Sequence, residues 1–581
     1  MIFRTLPHCS GCDYTSSFNL PLAAGRSRGN TFDRQSGFQR RPYPGLSNST
    51  TLNDGDAVRP PRPWGPGRRS PSPHLPAPRV GRLSTRRRFD YDPATFRSWG
   101  DPGDPTRVMH EGERTVECKV SSKETIEPTR SSRDILITLA MLAPIAAAIW
   151  VVPWFVTQDG LAHLYNAWII TASTAGDVSF RPYYEVHWRP SPNWAGHLAL
   201  IGLLRLVSPW AADRIVMTAS LLGLAAATVW LRSRVVGGRG SLAACALSAL
   251  VSLSFSWLMG FTSFQLAACL FPITLGVWWK GRDDLRAGRV AGLSALLVLG
   301  YFGHLVSLGL TACAMLFLAI ILPTKGRSRW SRLWRTGASI APLAGLGAIY
   351  LRLSRQGGPM VPKFPMPGEF LSVSGWVERL GWVDPISVAL KDGMPFTDRS
   401  EPWFAVFSPV VWLALAGLLW LAAAWRRGSD RGDVERRAWL ALAVILVLGG
   451  VFGPDSLGPG HGDYLPQRVA LLGLVALVPT IDRARSWTQR AAAGAILVAL
   501  FLQTVVVCDY ALDSHRKVAQ VVAIGPAVGR GQRVATLLTD IRTRFRVNAL
   551  LHADCWLGIA ESAILWSNYE TRHYYFPVQF R

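Results

Sequence analysis

An aspartate and a histidine four residues apart, Asp159 and His163, lie in the segment Gln158-Asp159-Gly160-Leu161-Ala162-His163, directly after the first long apolar run of the chain. In a helix that spacing puts both side chains on one face. A carboxylate there can accept a proton or ligate a divalent metal, and an imidazole can assist either task. Ionisable groups at a membrane edge are costly to keep, which argues for a functional pair. A plainer reading makes Asp159 the cap of an interfacial helix and His163 part of a polar rim.

Three further groups share this chemistry. Glu185, His187 and Arg189 fall on alternating positions of Tyr183-Tyr184-Glu185-Val186-His187-Trp188-Arg189. An extended segment would align them for sugar or phosphate, or leave them as a solvated loop. His304, in Tyr301-Phe302-Gly303-His304-Leu305, stands at the end of an apolar run and needs a partner if buried. The loop-like stretch Gly458-Pro459-Gly460-His461-Gly462-Asp463 runs into Arg468 at the start of another apolar run. An arginine at that depth can snorkel, or it can pair with a lipid phosphate. No Gly-rich phosphate loop, serine nucleophile elbow or HExxH zinc motif is present.

These residues must be positioned by a largely apolar scaffold. The chain has 581 residues, 49% of them hydrophobic, and a mean hydropathy of +0.19. From residue 134 to 508 it reads as apolar runs of roughly 15 to 21 residues, most of them long enough to cross a hydrocarbon core of about 30 Å. Lipid cannot satisfy backbone polar groups, so such runs must be helices. The expected fold is an all-α polytopic membrane protein of about eleven spans. They fall near 135–155, 211–230, 241–258, 262–279, 289–303, 304–322, 336–352, 404–424, 438–453, 467–481 and 490–508.

Charge orients the spans. The net charge is +24, but the basic residues sit in the N-terminal tail and in the connections 231–239, 280–289, 323–335, 425–437 and 482–489. All five connections fall on the cytoplasmic side of an eleven-span arrangement whose tail is inside, which is the positive-inside pattern and argues against a nucleic-acid partner. Loops 156–210, 353–403 and 454–466 then face outward together with the end of the chain. Residues 159–174 and 194–206 are expected as amphipathic helices on the outer face.

Three regions follow. Residues 1–130 are rich in Pro, Gly, Ser and Arg and form a disordered basic cytoplasmic tail; Met109 is an alternative start. Residues 131–508 are the multi-span domain, and 509–581 are a small α/β appendage too short for a generous core, expected to lean on the outer loops. In the appendage, Lys517–Ile524 and Gln532–Leu538 have strand-like patterns, and Asn548–Leu565 is partly helical. Eight cysteines form no disulfide framework, the pair Cys9 and Cys12 lacks partners for a zinc site, and a Cys508–Cys555 bridge is left open. The protein is expected in a bacterial cytoplasmic membrane, N-terminus inside and C-terminus outside.

With these features the chain resembles the GT-C superfamily of polytopic glycosyltransferases. The resemblance covers residues 134–581. It rests on a first span followed by an acid-bearing outer loop (Asp159 to Leu206), on short-looped later spans such as Gly260-Phe261-Thr262-Ser263-Phe264-Gln265, on His304 and on the outer tail. It implies transfer of a sugar from a membrane-lipid donor, a polyprenyl phosphate, to an acceptor outside. Asp159 would be the base or a ligand of Mg or Mn, His163 its catalytic companion, and Glu185, His187, His304, His461, Asp463 and Arg468 substrate-binding residues. The family often pairs two acids here, whereas Gly160 follows Asp159. The rival reading is a non-enzymatic lipid-linked glycan flippase or transporter, which should carry mid-span charges and repeat symmetry, or an envelope-assembly protein, in which the outer acids should have no mutational effect.

Overall fold

The computed structural model describes residues 128–581, except 238–239, 325–327, 366–367, 369–408, 426–431, 459–460, 483–485, 539–542 and 544. The expectations for the basic tail up to residue 127, including Cys9 and Cys12, and for most of loop 353–403 lie outside these residues. Among the described residues the protein is mostly helical: α1 (Pro128–Val151), α2 (Gly160–Thr174), α3 (Trp194–Leu204), α4 (Pro209–Val236), α5 (Leu242–Ser252), α6 (Phe255–Leu258), α7 (Thr262–Gly281), α8 (Ala287–Gly303), α9 (Leu305–Ile321), α10 (Arg329–Ile340), α11 (Leu343–Ser354), α12 (Pro409–Trp425), α13 (Gly432–Phe452), α14 (Leu465–Leu477), α15 (Trp487–Ala523), α16 (Gly525–Val528) and α17 (Cys555–Ala560). Four helical stretches are long and apolar enough to cross a membrane: Ser132–Val151, Pro209–Val236, Thr262–Gly281 and Trp487–Val528.

Local signals set the helix limits. The Ser208 hydroxyl accepts from the Ala211 N–H, Pro209 opens α4, and Gly237 closes it in the left-handed region at φ 76°. Ser486 and Gln489 form a reciprocal capping box at the start of α15. Two runs expected as unbroken spans are interrupted. Residues 241–258 divide where the Ser254 side chain caps α6, and 336–352 divide at Pro342 between α10 and α11. Average hydropathy does not register either break.

Helix α4 is the hub, packed against α1, α5 and α7, while α12 packs along α15 and α13 along α14. Charged side chains near the helix ends are paired. Arg232 lies 3.6 Å from Asp134, Arg282 reaches Glu435 at 2.6 Å, and Arg332 reaches Asp283 at 2.8 Å.

Helix α2 differs from a helix lying on a surface. Gly160 through Ala167, Ile169 and Ile170 are all buried, because the C-terminal segment covers the polar stripe expected to face water. Four short strands contribute: β1 (Tyr184–Val186), β2 (Arg533–Val534), β3 (Ile564–Leu565) and β4 (Val578–Phe580). β1 pairs antiparallel with β4, Tyr184 opposite Phe580, and β2 pairs in parallel with β3. The Tyr165 hydroxyl donates to the Ala563 carbonyl at 2.7 Å. Asn166 and Asn568 exchange two amide hydrogen bonds of 3.0 Å each.

Helix α15 extends beyond the apolar run assigned to it. Lys517–Ala523, read as strand-like from the sequence, is its last two turns, with Lys517 paired to Asp513 at 2.8 Å. Just before, the Tyr510 hydroxyl donates to the Val156 carbonyl at 3.0 Å, and the Ser514 hydroxyl donates to the Trp154 carbonyl at 2.6 Å. These bonds hold the chain that leads into Asp159. Cys508 and Cys555 are both free thiols, so no bridge joins them.

The docking of the C-terminal segment is close enough to test. A Cβ on Gly558 would come within 2.3 Å of the Tyr165 ring. Gly558→Ala is expected to cost about 1–3 kcal/mol, the usual range for overpacking. Thermal unfolding in detergent should show a lowered midpoint, and limited proteolysis should cut the C-terminal segment faster.

Candidate functional site

The backbone of Gln158 and Asp159 is fixed first. Their N–H groups donate to the Leu258 and Met259 carbonyls, each at 3.0 Å. Gly260 permits this approach: it sits at φ +80°, and a Cβ there would meet the Gly160 and Asp159 nitrogens at 2.7 and 3.0 Å. Asp159 occupies the N-cap position of α2, yet its side chain makes no capping hydrogen bond. The plainer reading of Asp159 as a helix cap therefore fails.

The Asp159 carboxylate is instead enclosed. It is 8% exposed, receives the Gln158 amide at 3.4 Å, and lies 3.6 Å from His552 Nε2. Gln158 also accepts from the Asn548 N–H at 2.9 Å, tying this point to the C-terminal segment. Burial raises the Asp159 carboxyl from its ordinary 3.8 to about 6, against the pull of His163, Gln158 and Tyr569. Burial likewise holds His552 near 4, so it is neutral at pH 7.

One turn along α2, His163 points at a second carboxylate. Its Nδ1 is 2.5 Å from Glu570 Oε1, and His197 Nε2 on α3 is 2.9 Å from Glu570 Oε2. All three side chains are at most 8% exposed. Phe576 closes the group, its ring 5.9 Å from each imidazole. Burial alone would raise Glu570, but His163 and His197 outweigh it and bring its pKa down to about 2. Burial alone would lower His163, but Glu570 and then Asp159 outweigh it and raise its pKa.

His163, His197 and Glu570 offer donor atoms that all lie within 4.8 Å of one another, a spacing that could hold a metal. Asp159, expected as a ligand of Mg or Mn, is not among these donors. Its surroundings do not fit a hard cation, which wants about six oxygen ligands, since an amide N–H, an imidazole and the Tyr569 side chain stand beside it.

The other candidates lie elsewhere. Glu185 on β1 and His187 just beyond it do face one another, at 3.7 Å, but at a half-exposed edge outside the buried group. Arg189 reaches Gln356 at 2.9 Å. His461 is a structural strap, its Nε2–H donating to the Gly358 carbonyl at 2.9 Å, which leaves Nδ1 to accept from the Tyr574 hydroxyl at 3.2 Å. Asp463 is exposed on the same loop.

His304 and Arg468 form a separate pair. His304 Nδ1 accepts from the Val306 N–H at 3.2 Å, capping α9. Its ring stands edge-on to Phe264 at 5.2 Å. The Arg468 guanidinium lies over Phe261 at 4.4 Å and near Phe264 at 5.5 Å. An open apolar groove of about 280 Å³ runs beside this pair, lined by Val306, Leu310, Gly449, Leu457, Leu465 and Val469.

Sequence reasoning missed His197, His552 and Glu570. His197 is a lone imidazole in an apolar run, and Glu570 is 373 residues further along the chain. The only available signal was that both fall in segments assigned to the same side as Asp159.

The raised pKa of Asp159 has a testable sign. A protonated carboxyl suits this site, so its stabilising contribution is complete below pH 3.8 and is lost as pH rises through about 6. Above that, the buried charge costs about 3 kcal/mol. Asp159→Asn is expected to melt at a higher temperature than the parent at pH 7.5 and at nearly the same temperature at pH 4. Equal melting at pH 7.5 would contradict this assignment. No protein-family model, curated protein or solved structure matches this chain.

Proposed function

We propose that the protein is a multi-pass membrane glycosyltransferase, with eleven spans, an inner N-terminus and the Asp159 region outside. It transfers a sugar from a polyprenyl-phosphate donor to an acceptor hydroxyl at the outer face. The observation that carries this reading is Asp159: a buried carboxylate, not used as a cap, with a pKa near 6, set where the chain leaves its first apolar helix. A carboxylate poised close to neutral pH is suited to take a proton from an acceptor hydroxyl.

The step is a single inverting displacement. The acceptor oxygen bonds to the anomeric carbon as its proton passes to Asp159. The bond from that carbon to the phosphate oxygen breaks, and the electron pair leaves with the phosphate. The groove beside α9 and α14 supports a lipid donor because it is apolar, and His304 and Arg468 stand close in the chain to its lining residues Val306 and Val469. A guanidinium there can meet the charge that grows on the departing phosphate. Ionisable groups gathered at helix ends favour interfacial chemistry over transport through the spans.

The test uses full-length protein in nanodiscs with a panel of radiolabelled polyprenyl-phosphate sugars. Asp159→Asn should lower transfer by about a hundredfold to ten-thousandfold, the range for loss of a general base, while the lipid still binds. Arg468→Gln should weaken binding of the polyprenyl phosphate about tenfold or more but leave binding of the matching polyprenol unchanged. Full transfer by the Asp159 variant would refute the assignment.

A further inference from the structure

His163, His197 and Glu570 come from three separate parts of the chain: α2, α3 and the C-terminal segment before β4. His163 Nδ1 and Glu570 Oε1 lie 2.5 Å apart, a charge-paired contact outside ordinary hydrogen-bond geometry. Both atoms are buried. Two imidazole nitrogens thus address one carboxylate from separate helices, and one of those contacts lacks the alignment that a shared proton requires.

This donor set has a definite preference. Two imidazoles and one carboxylate, buried and flanked by Phe576, suit zinc and related divalent transition ions rather than Mg or Ca, which take oxygen ligands. Around a tetrahedral zinc the donors would stand about 3.4 Å apart, so an ion asks the Glu570 carboxylate to draw back from His163. Among the described residues this is the one group of histidine, cysteine and acidic side chains with donors so placed.

We propose that His163, His197 and Glu570 bind one zinc-class divalent ion that fastens the C-terminal segment to α2 and α3. Asp159 is not a ligand, and the site stands whether or not the protein transfers a sugar. Three protein ligands leave a fourth position for water or an incoming group.

The experiment measures metal, not activity. Full-length protein in detergent is stripped with a chelator, dialysed against zinc or cobalt alone, and assayed by elemental analysis. One ion per chain is expected, with about tenfold or greater loss of affinity in His197→Ala and Glu570→Gln and full retention in Asp159→Asn. X-ray absorption of the zinc-loaded parent should show two imidazole nitrogens and carboxylate oxygen around the metal. This keeps the test independent of how the variants fold. Limited proteolysis of the parent should show zinc protecting the C-terminal segment. A parent chain that binds no ion, a metal shell without imidazole, or unchanged binding in both ligand variants would overturn the proposal.

Discussion

The site depends on the burial of one carboxylate. Glu570 is wholly enclosed, and an isolated charge in such a place costs several kcal/mol. His163 and His197 supply the compensation from two helices, so each of these three side chains is tolerable only with the other two. The consequence is mechanical as well as electrostatic. The C-terminal segment cannot lift away without carrying its carboxylate out of reach of both imidazoles. The paired amides of Asn166 and Asn568 and the β1–β4 ladder reinforce the same closure.

Asp159 stands one helical turn from this group and has a different environment. Glu570 is held as an anion by two imidazoles, whereas Asp159 has a neutral His552 and a glutamine amide beside it. The two acids therefore titrate far apart although both are buried. Environment, not residue type, separates a fixed charge from a carboxyl that can exchange its proton near neutral pH.

Some of this was legible in the sequence and some was not. Apolar runs announce helices, and the i, i+4 spacing corresponds to Asp159 at the N-cap of α2 and His163 one turn into it. The breaks at Ser254 and Pro342 were hidden because the residues around them are as apolar as a continuous span. The covered state of α2 was hidden for another reason. Its polar stripe reads as a water-facing surface until Asn568 and Glu570 are brought onto it, and spacing within one segment carries no information about a partner some 400 residues away. His461 and Arg468 looked alike as polar groups near a helix start. Only contacts separate a strap bonded on both ring nitrogens from a guanidinium laid over two aromatic rings.

Helix α15 ties the site to the thickness of its surroundings. At 37 residues it is about 55 Å long, well beyond a hydrocarbon core of about 30 Å. Its upper turns grip the Trp154–Val156 backbone through Ser514 and Tyr510, and its end leads into the segment that bears Glu570. A thinner bilayer tilts a long helix. A tilting lever joined at its upper turns to the approach to Asp159, and at its far end to the Glu570 segment, would shift the two carboxylates relative to one another. The lipid environment thereby becomes a geometric input to the site.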